Sequence, residues 1–179
     1  VDMASKFSGT TGKWEGGQYK PPYILGMTPT PGTSSVPLNL QGIVLKFNES
    51  MDSTTINRGA FMLYTVNSST GAETDVTNAK LISASLDSIS KQYVTLLVSG
   101  SLTASTIYRV KVKNGVRSTA GLTLGPPSNP GEVFYKSDFT TGTADDTTSP
   151  SILSSYPANA ATSVSQDFGY INIQLNEAI

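Results

Sequence analysis

The stretch Pro22–Met51, PYILGMTPTPGTSSVPLNLQGIVLKFNESM, decides how the rest of the chain is read, because it occurs twice. It lies without a gap over Pro150–Ile179, PSILSSYPANAATSVSQDFGYINIQLNEAI, at an offset of 128 residues. Nine positions are identical: Pro22/Pro150, Ile24/Ile152, Leu25/Leu153, Pro29/Pro157, Ser35/Ser163, Val36/Val164, Ile43/Ile171, Asn48/Asn176 and Glu49/Glu177. Leu45/Ile173, Phe47/Leu175 and Leu40/Phe168 keep their character. Within the first copy, Gly42–Asn48 sets Ile43, Leu45 and Phe47 on one side and Val44, Lys46 and Asn48 on the other, the period of a half-buried strand. Tyr23–Met27 is a second strand, halted by Thr28-Pro29-Thr30-Pro31-Gly32, whose prolines cannot donate to a ladder. A repeat of this size signals an array of domains.

Outward from that stretch the β pattern continues. Strands are expected at Ala60–Val66, near Thr74–Thr77, at Lys80–Leu86, at Gln92–Ser99 with Val94, Leu96 and Val98 inward, at Thr106–Lys113 and at Val133–Thr140. Residues 48–59 read as a turn-rich loop with room for one helical turn. In Thr106–Lys113, Tyr108, Val110 and Val112 face one way and Arg109, Lys111 and Lys113 the other. With Arg117 these cations form a basic stripe, read as a solvated face that discourages sheet-to-sheet pairing. Seven or eight short strands without helical periodicity predict an all-β, Ig-like antiparallel sandwich. Tyr108 at the start of its strand fits the tyrosine corner of such folds, and fits an ordinary interior position equally well.

The domain boundaries follow from the repeat. Residues 22–141 form one complete sandwich, 142–149 a linker, and 150–179 the opening of a second, incomplete one. Residues 1–21 are a connector, in which Ser5-Lys6-Phe7-Ser8 echoes Ser137-Asp138-Phe139-Thr140. On that echo the chain opens with the closing strand of a preceding domain; the other reading of residues 1–8 is a leader.

Composition narrows the chemistry. Charged residues are 14% of the chain, against about 25% in an average soluble domain. Serine and threonine, 24 and 22 residues, take their place, as suits a surface protein. A net charge of −1 gives no electrostatic reason to expect nucleic acid. There is no cysteine and no histidine, which excludes disulfides, thiolate sites and the usual general base. A serine nucleophile would have only Lys, Asp or Glu for a base, and no nucleophile-elbow, phosphate-loop or dinucleotide motif is present. The residues therefore predict no enzyme, and no apolar run long enough for membrane insertion.

Ile43-Val-Leu-Lys-Phe-Asn-Glu-Ser-Met-Asp52 followed by Ser-Thr-Thr-Ile56 resembles the signature of bacterial Ig-like domains of the type found in S-layer and other large surface proteins. Leu102…Tyr108-Arg-Val-Lys-Val112 is similar to their E–F corner, and Phe139-Thr140-Thr141 to their closing Phe-x-Thr. Asp146-Thr-Thr-Ser-Pro150 resembles the linker that opens the next member. One departure stands out: Ser118 and Leu122 replace the acidic residue and the asparagine that the family has around Ala120-Gly121. The resemblance implies an extracellular or cell-surface location and a non-catalytic spacer, stalk or lattice unit whose partners are neighbouring Ig-like domains.

Two candidate sites accompany this reading. Asp145, Asp146, Asn176 and Glu177 are expected at the junction with the second domain, where calcium, which takes six to eight oxygens, would stiffen the joint. Asn48, Glu49 and Asp52 hold the equivalent place in the first copy. The alternative is solvated acids that cap turns. Trp14, Tyr19 and Tyr23 cluster in and beside the connector, where aromatic faces would stack on polysaccharide or else pack on a neighbouring domain. The corresponding alternative functions are a ligand- or polysaccharide-binding accessory of a secreted enzyme or adhesin, and a fibre subunit that exchanges strands through its incomplete domain.

Overall fold

The alternation at 43–47 becomes a strand because every second residue has somewhere dry to go. A computed structural model describes residues 7–8, 13–14, 21–125, 131–165 and 171–175. The chain divides into two units, 1–145 and 146–179. In the first, β1 (Phe7–Ser8) pairs antiparallel with β2 (Lys13–Trp14). The sandwich follows: β3 (Ile24–Thr28), β4 (Gly42–Phe47), β5 (Phe61–Val66), β6 (Glu73–Asp75), a single helical turn α1 (Thr77–Lys80), β7 (Leu81–Leu86), β8 (Tyr93–Val98), β9 (Ile107–Lys113) and β10 (Val133–Thr140). One sheet has the order β3-β4-β8-β7 and the other β10-β9-β5-β6, all neighbours antiparallel.

Ile43, Leu45 and Phe47 from the first sheet meet Phe61, Leu63, Val110 and Val112 from the second, all fully buried. Val94, Leu96 and Val98 close the first sheet's inner face, as their alternation predicts. The chain also changes sheets. Past Pro29, whose peptide bond is cis, residues 32–36 run beside β10, with Gly32 N donating to Asp138 O at 2.8 Å and Val36 N to Thr140 O at 3.0 Å. Gly32 has φ +79°, the left-handed region that a side chain disfavours.

Three strands of the sandwich carry a bulge, between Ile24 and Gly26, Leu81 and Ser83, and Val133 and Tyr135. The extra residue of each is apolar and half-exposed: Leu25, Ile82 and Phe134. A bulge inserts one residue against none on the partner and breaks the inward–outward alternation, so these side chains are outside by geometry rather than by composition. Phe134 lies so close over Gly125 that a Cβ there would come within 2.2 Å of its ring.

The second unit repeats the opening ladder. β11 (Ile152–Tyr156) pairs with β12 (Asn172–Leu175) as Ile152↔Leu175, Ser154↔Gln174, Ser155↔Ile173 and Tyr156↔Asn172. Adding 128 to the β3–β4 register, Ile24↔Phe47, Gly26↔Lys46, Met27↔Leu45 and Thr28↔Val44, gives the same pairs, bulge included. The core positions differ in burial: Ile43 and Leu45 are 0% exposed, whereas Ile171 and Ile173 are 73% and 54% exposed.

Two local expectations are corrected. The segment before β7 is not strand throughout, because α1 takes Thr77–Lys80, started by the Asp75 carboxylate accepting from Thr77 N at 2.8 Å. Residues 48–59 hold two 3-10 turns rather than one, Ser53–Thr55 and Arg58–Ala60, each capped by the side chain before it, Asp52 and Asn57.

Candidate functional site

The motif residues converge on two places, one at each end of the sandwich. At the end where β4 stops, the Phe47–Ile56 signature is consumed in holding loops together. Phe47 and Met51 are fully buried and Ile56 nearly so. Asn48 pins strand β3, its Oδ1 accepting from Tyr23 N at 2.7 Å while its own N donates to Tyr23 O at 3.1 Å. Asp52 accepts from Thr54 N at 2.9 Å and Thr54 Oγ1 at 2.8 Å, and these bonds hold its pKa below the ordinary carboxylate value. Met51 N reaches Lys91 O at 2.7 Å and Asp52 N reaches Arg117 O at 2.9 Å, stitching the loop to two others. Burial pushes the Glu49 carboxyl pKa up, opposed by the Ser118 hydroxyl and the Asn48 side chain. Ser118 Oγ is buried and has no hydrogen-bond partner of ordinary geometry among the described residues, which carries a local cost.

At the other end, the β8–β9 corner is latched. Thr103 N donates to the Tyr108 hydroxyl at 3.0 Å, so Tyr108 does form the tyrosine corner, with its ring stacked on Phe139 at 5.7 Å. Buried Thr141 accepts from Thr106 N at 2.9 Å and donates to Thr103 O at 2.6 Å. The closing Phe-x-Thr is thus a packing residue followed by a latch.

The basic stripe is not a free solvated face. Arg109 forks onto Asp138 with contacts of 2.7 and 2.6 Å and reaches Glu73 at 2.7 Å. Lys111 also bonds Glu73 and lies 4.0 Å from the centre of the Tyr64 ring. The acids come from β10 and β6, on either side of β9 and β5, so the charges cancel across strands. Lys111 and Arg109 lower the Glu73 pKa, and Asp138, then Glu73, raise that of Arg109. Arg117 sits off the strand, bridged to Thr123.

Of the candidate site residues, Trp14, Tyr23, Asp145 and Asp146 fall among the described residues. Asp145 lines a cleft at the end of β8, and Asp146 Oδ1 accepts from Thr148 N at 2.8 Å in the second unit. Asn176 and Glu177 lie outside the described residues, as does Tyr19. Trp14 is placed by its backbone, opposite Phe7. Tyr23 is 49% exposed. No group of three carboxylates converges among the described residues, and no helix is long and apolar enough to cross a membrane.

This arrangement defines a class: an Ig-like sandwich whose marked residues serve architecture. The chain belongs to the bacterial Ig-like domain family, whose model matches residues 18–141. That membership points to a non-enzymatic domain. No curated protein sequence matches the chain. Among solved structures, it is similar to surface layer protein SbsC, domains 1–6, at 15% identity over 76% of this chain and 15% of that one, TM-score 0.45. The N-terminal part of bacterial S-layer protein SbsC gives 15% identity over 76% and 26%, TM-score 0.46. CopC from Methylosinus trichosporium OB3b gives 16% over 70% and 97%, TM-score 0.43. The chain spans 15% of the length of the first of these.

Proposed function

We propose that the chain is a non-catalytic structural module of a tandem array in a secreted or cell-surface protein, working as spacer, stalk or lattice unit. The observation that carries this reading is the second ladder, which repeats the first in register and bulge at a constant offset. Two units that open alike in one chain are what an array consists of. The consumption of the signature residues supports the same reading, since a module that must keep its shape under load gains from loops tied to one another. Calcium at the junction acids would add stiffness to it, and neighbouring Ig-like domains are its partners.

The test is brief protease treatment of intact source cells, with peptides read by mass spectrometry. Release of peptides from exposed loops such as 67–72 before lysis is expected. Peptides recovered only after lysis, at the level of a cytosolic marker, would sink the surface assignment.

A further inference from the structure

Two Asn-x-Ser triplets occur in the chain, Asn48-Glu49-Ser50 and Asn67-Ser68-Ser69. A triplet of this kind, with any residue but proline in the middle, is the acceptor for N-linked sugar and belongs on a surface loop. In a chain so rich in serine and threonine such triplets are common, so the spelling alone decides nothing. The surroundings of the two decide between them.

Asn48-Glu49-Ser50 is committed to the fold. Asn48 Oδ1 accepts from Tyr23 N at 2.7 Å, and the same side chain bonds the Glu49 carboxylate. Ser50 Oγ donates to Ser90 O at 2.9 Å, and the next residue, Met51, is fully buried. An enzyme could reach neither the amide nor the hydroxyl without undoing those bonds. Asn67-Ser68-Ser69 is the opposite case. It lies in the turn between β5 and β6, where residues 67–75 are all exposed. Asn67 Oδ1 accepts from Ser69 N at 3.0 Å and Thr70 N at 2.9 Å, an Asx turn. The main chain holds the turn closed, with Asn67 N donating to Ala72 O and Gly71 N to Asn67 O, each at 2.8 Å. Asn67 Nδ2 and the Ser69 hydroxyl have no hydrogen-bond partner among the described residues.

We propose that Asn67 is an acceptor for an N-linked glycan, with a glycosyl diphosphate as the class of donor, and that Asn48 is not. Asn67 Nδ2 attacks the anomeric carbon of the donor. The nitrogen–carbon bond forms and the carbon–oxygen bond to the diphosphate breaks. The diphosphate leaves with that electron pair, and the amide gives up one proton to a base of the transferase. An amide nitrogen is a poor nucleophile, because its lone pair is shared with the carbonyl. The two N–H groups on Oδ1 polarise the carboxamide and make the departing proton more acidic. The Ser69 hydroxyl, the member of the triplet that chemistry requires beside the asparagine, is left for the transferase to engage. The site rests on the secreted or cell-surface reading, since sugar of this kind is carried by exported chains.

Trypsin separates the two triplets, since Phe47–Arg58 holds one and Gly59–Lys80 the other. Protein released from the surface of intact source cells is digested to completion, and its peptides are fragmented by electron transfer, which leaves sugar on the residue that bears it. Gly59–Lys80 is expected to carry glycan mass on Asn67, and Phe47–Arg58 none on Asn48. Ser69→Ala, produced in the same cells, is expected to keep its melting curve and lose the sugar, while Ser69→Thr keeps both. Bare Asn67 in protein released before lysis overturns the proposal and leaves the surface reading standing. Sugar confined to Ser68, Ser69 or Thr70, sugar on Asn48, or sugar on Asn67 undiminished in Ser69→Ala overturns it as well. Bare peptides recovered only after lysis overturn both readings.

Discussion

Replacing Tyr108 by Phe removes one oxygen from the interior and leaves the ring where it is. Tyr108 is 1% exposed and stacked on Phe139, and both features survive in the variant. What is lost is the hydrogen bond from Thr103 N at 3.0 Å. An unpaired amide costs about 1–3 kcal/mol when it stays dry. Thr103 itself is exposed, so water can partly replace the hydroxyl, and a loss of about 1–2 kcal/mol is expected. For a domain of this size that lowers the melting temperature by roughly 3–6 °C for each kcal/mol. Urea unfolding should show a lower midpoint with an unchanged slope, since the same surface is exposed. A variant within about 0.5 kcal/mol of wild type, the usual range for neutral surface changes, would show that the corner bond contributes nothing and that the ring alone fixes the β8–β9 connection.

Two further outcomes are expected. Phe47→Ala empties a fully buried position between the sheets and should cost about 3–5 kcal/mol; an unchanged melting point would refute the placement of β4 in the core. Asp87 is held down to about 2, first by the Tyr93 amide and then by Ser90 and Lys91. A depressed folded pKa contributes stability above the unfolded value, about 3.9, and loses it as pH falls toward about 2. Asp87→Asn should therefore be less stable at neutral pH and show a flatter decline through that acid window. Parallel curves for variant and wild type would mean that the β7–β8 loop is not braced by this carboxylate.

The sandwich was legible wherever inward residues kept strict alternation. Ile43-Leu45-Phe47, Val94-Leu96-Val98 and Tyr108-Val110-Val112 all face the core, and no competing period exists in those stretches. Legibility failed where one strand's pattern was not the whole story. Leu25 and Ile82 sit at bulges, which shift the period in mid-strand, so alternation alone could not place them. The pairing of Arg109 and Lys111 depends on Glu73 and Asp138, 36 and 29 residues from Arg109 in sequence, and only the strand order brings them together. The Glu73-Thr74-Asp75 stretch was a signal of sorts, because acids are poor strand formers unless a cation waits opposite. The role of the Phe47–Asp52 signature was hidden for a similar reason. Its donors and acceptors are Tyr23, Lys91 and Arg117, which no local spacing connects to it. Asp87 could be read as a turn former, but no local spacing shows that it accepts from the main-chain N–H groups of Ser90, Lys91, Gln92 and Tyr93.

The bulges have a consequence for crowding. A sheet edge with regular unpaired amides is a template for another copy's edge. Here β3, β7 and β10 are each interrupted by a bulge, residues 32–36 lie along β10, and β6 is three residues long with two acids. Edges blunted in this way resist fusion of sheets side by side even when copies are held at very high local concentration, as they are when tethered to a common scaffold. Side-by-side pairing of copies through their sheet edges is thereby disfavoured at any packing density.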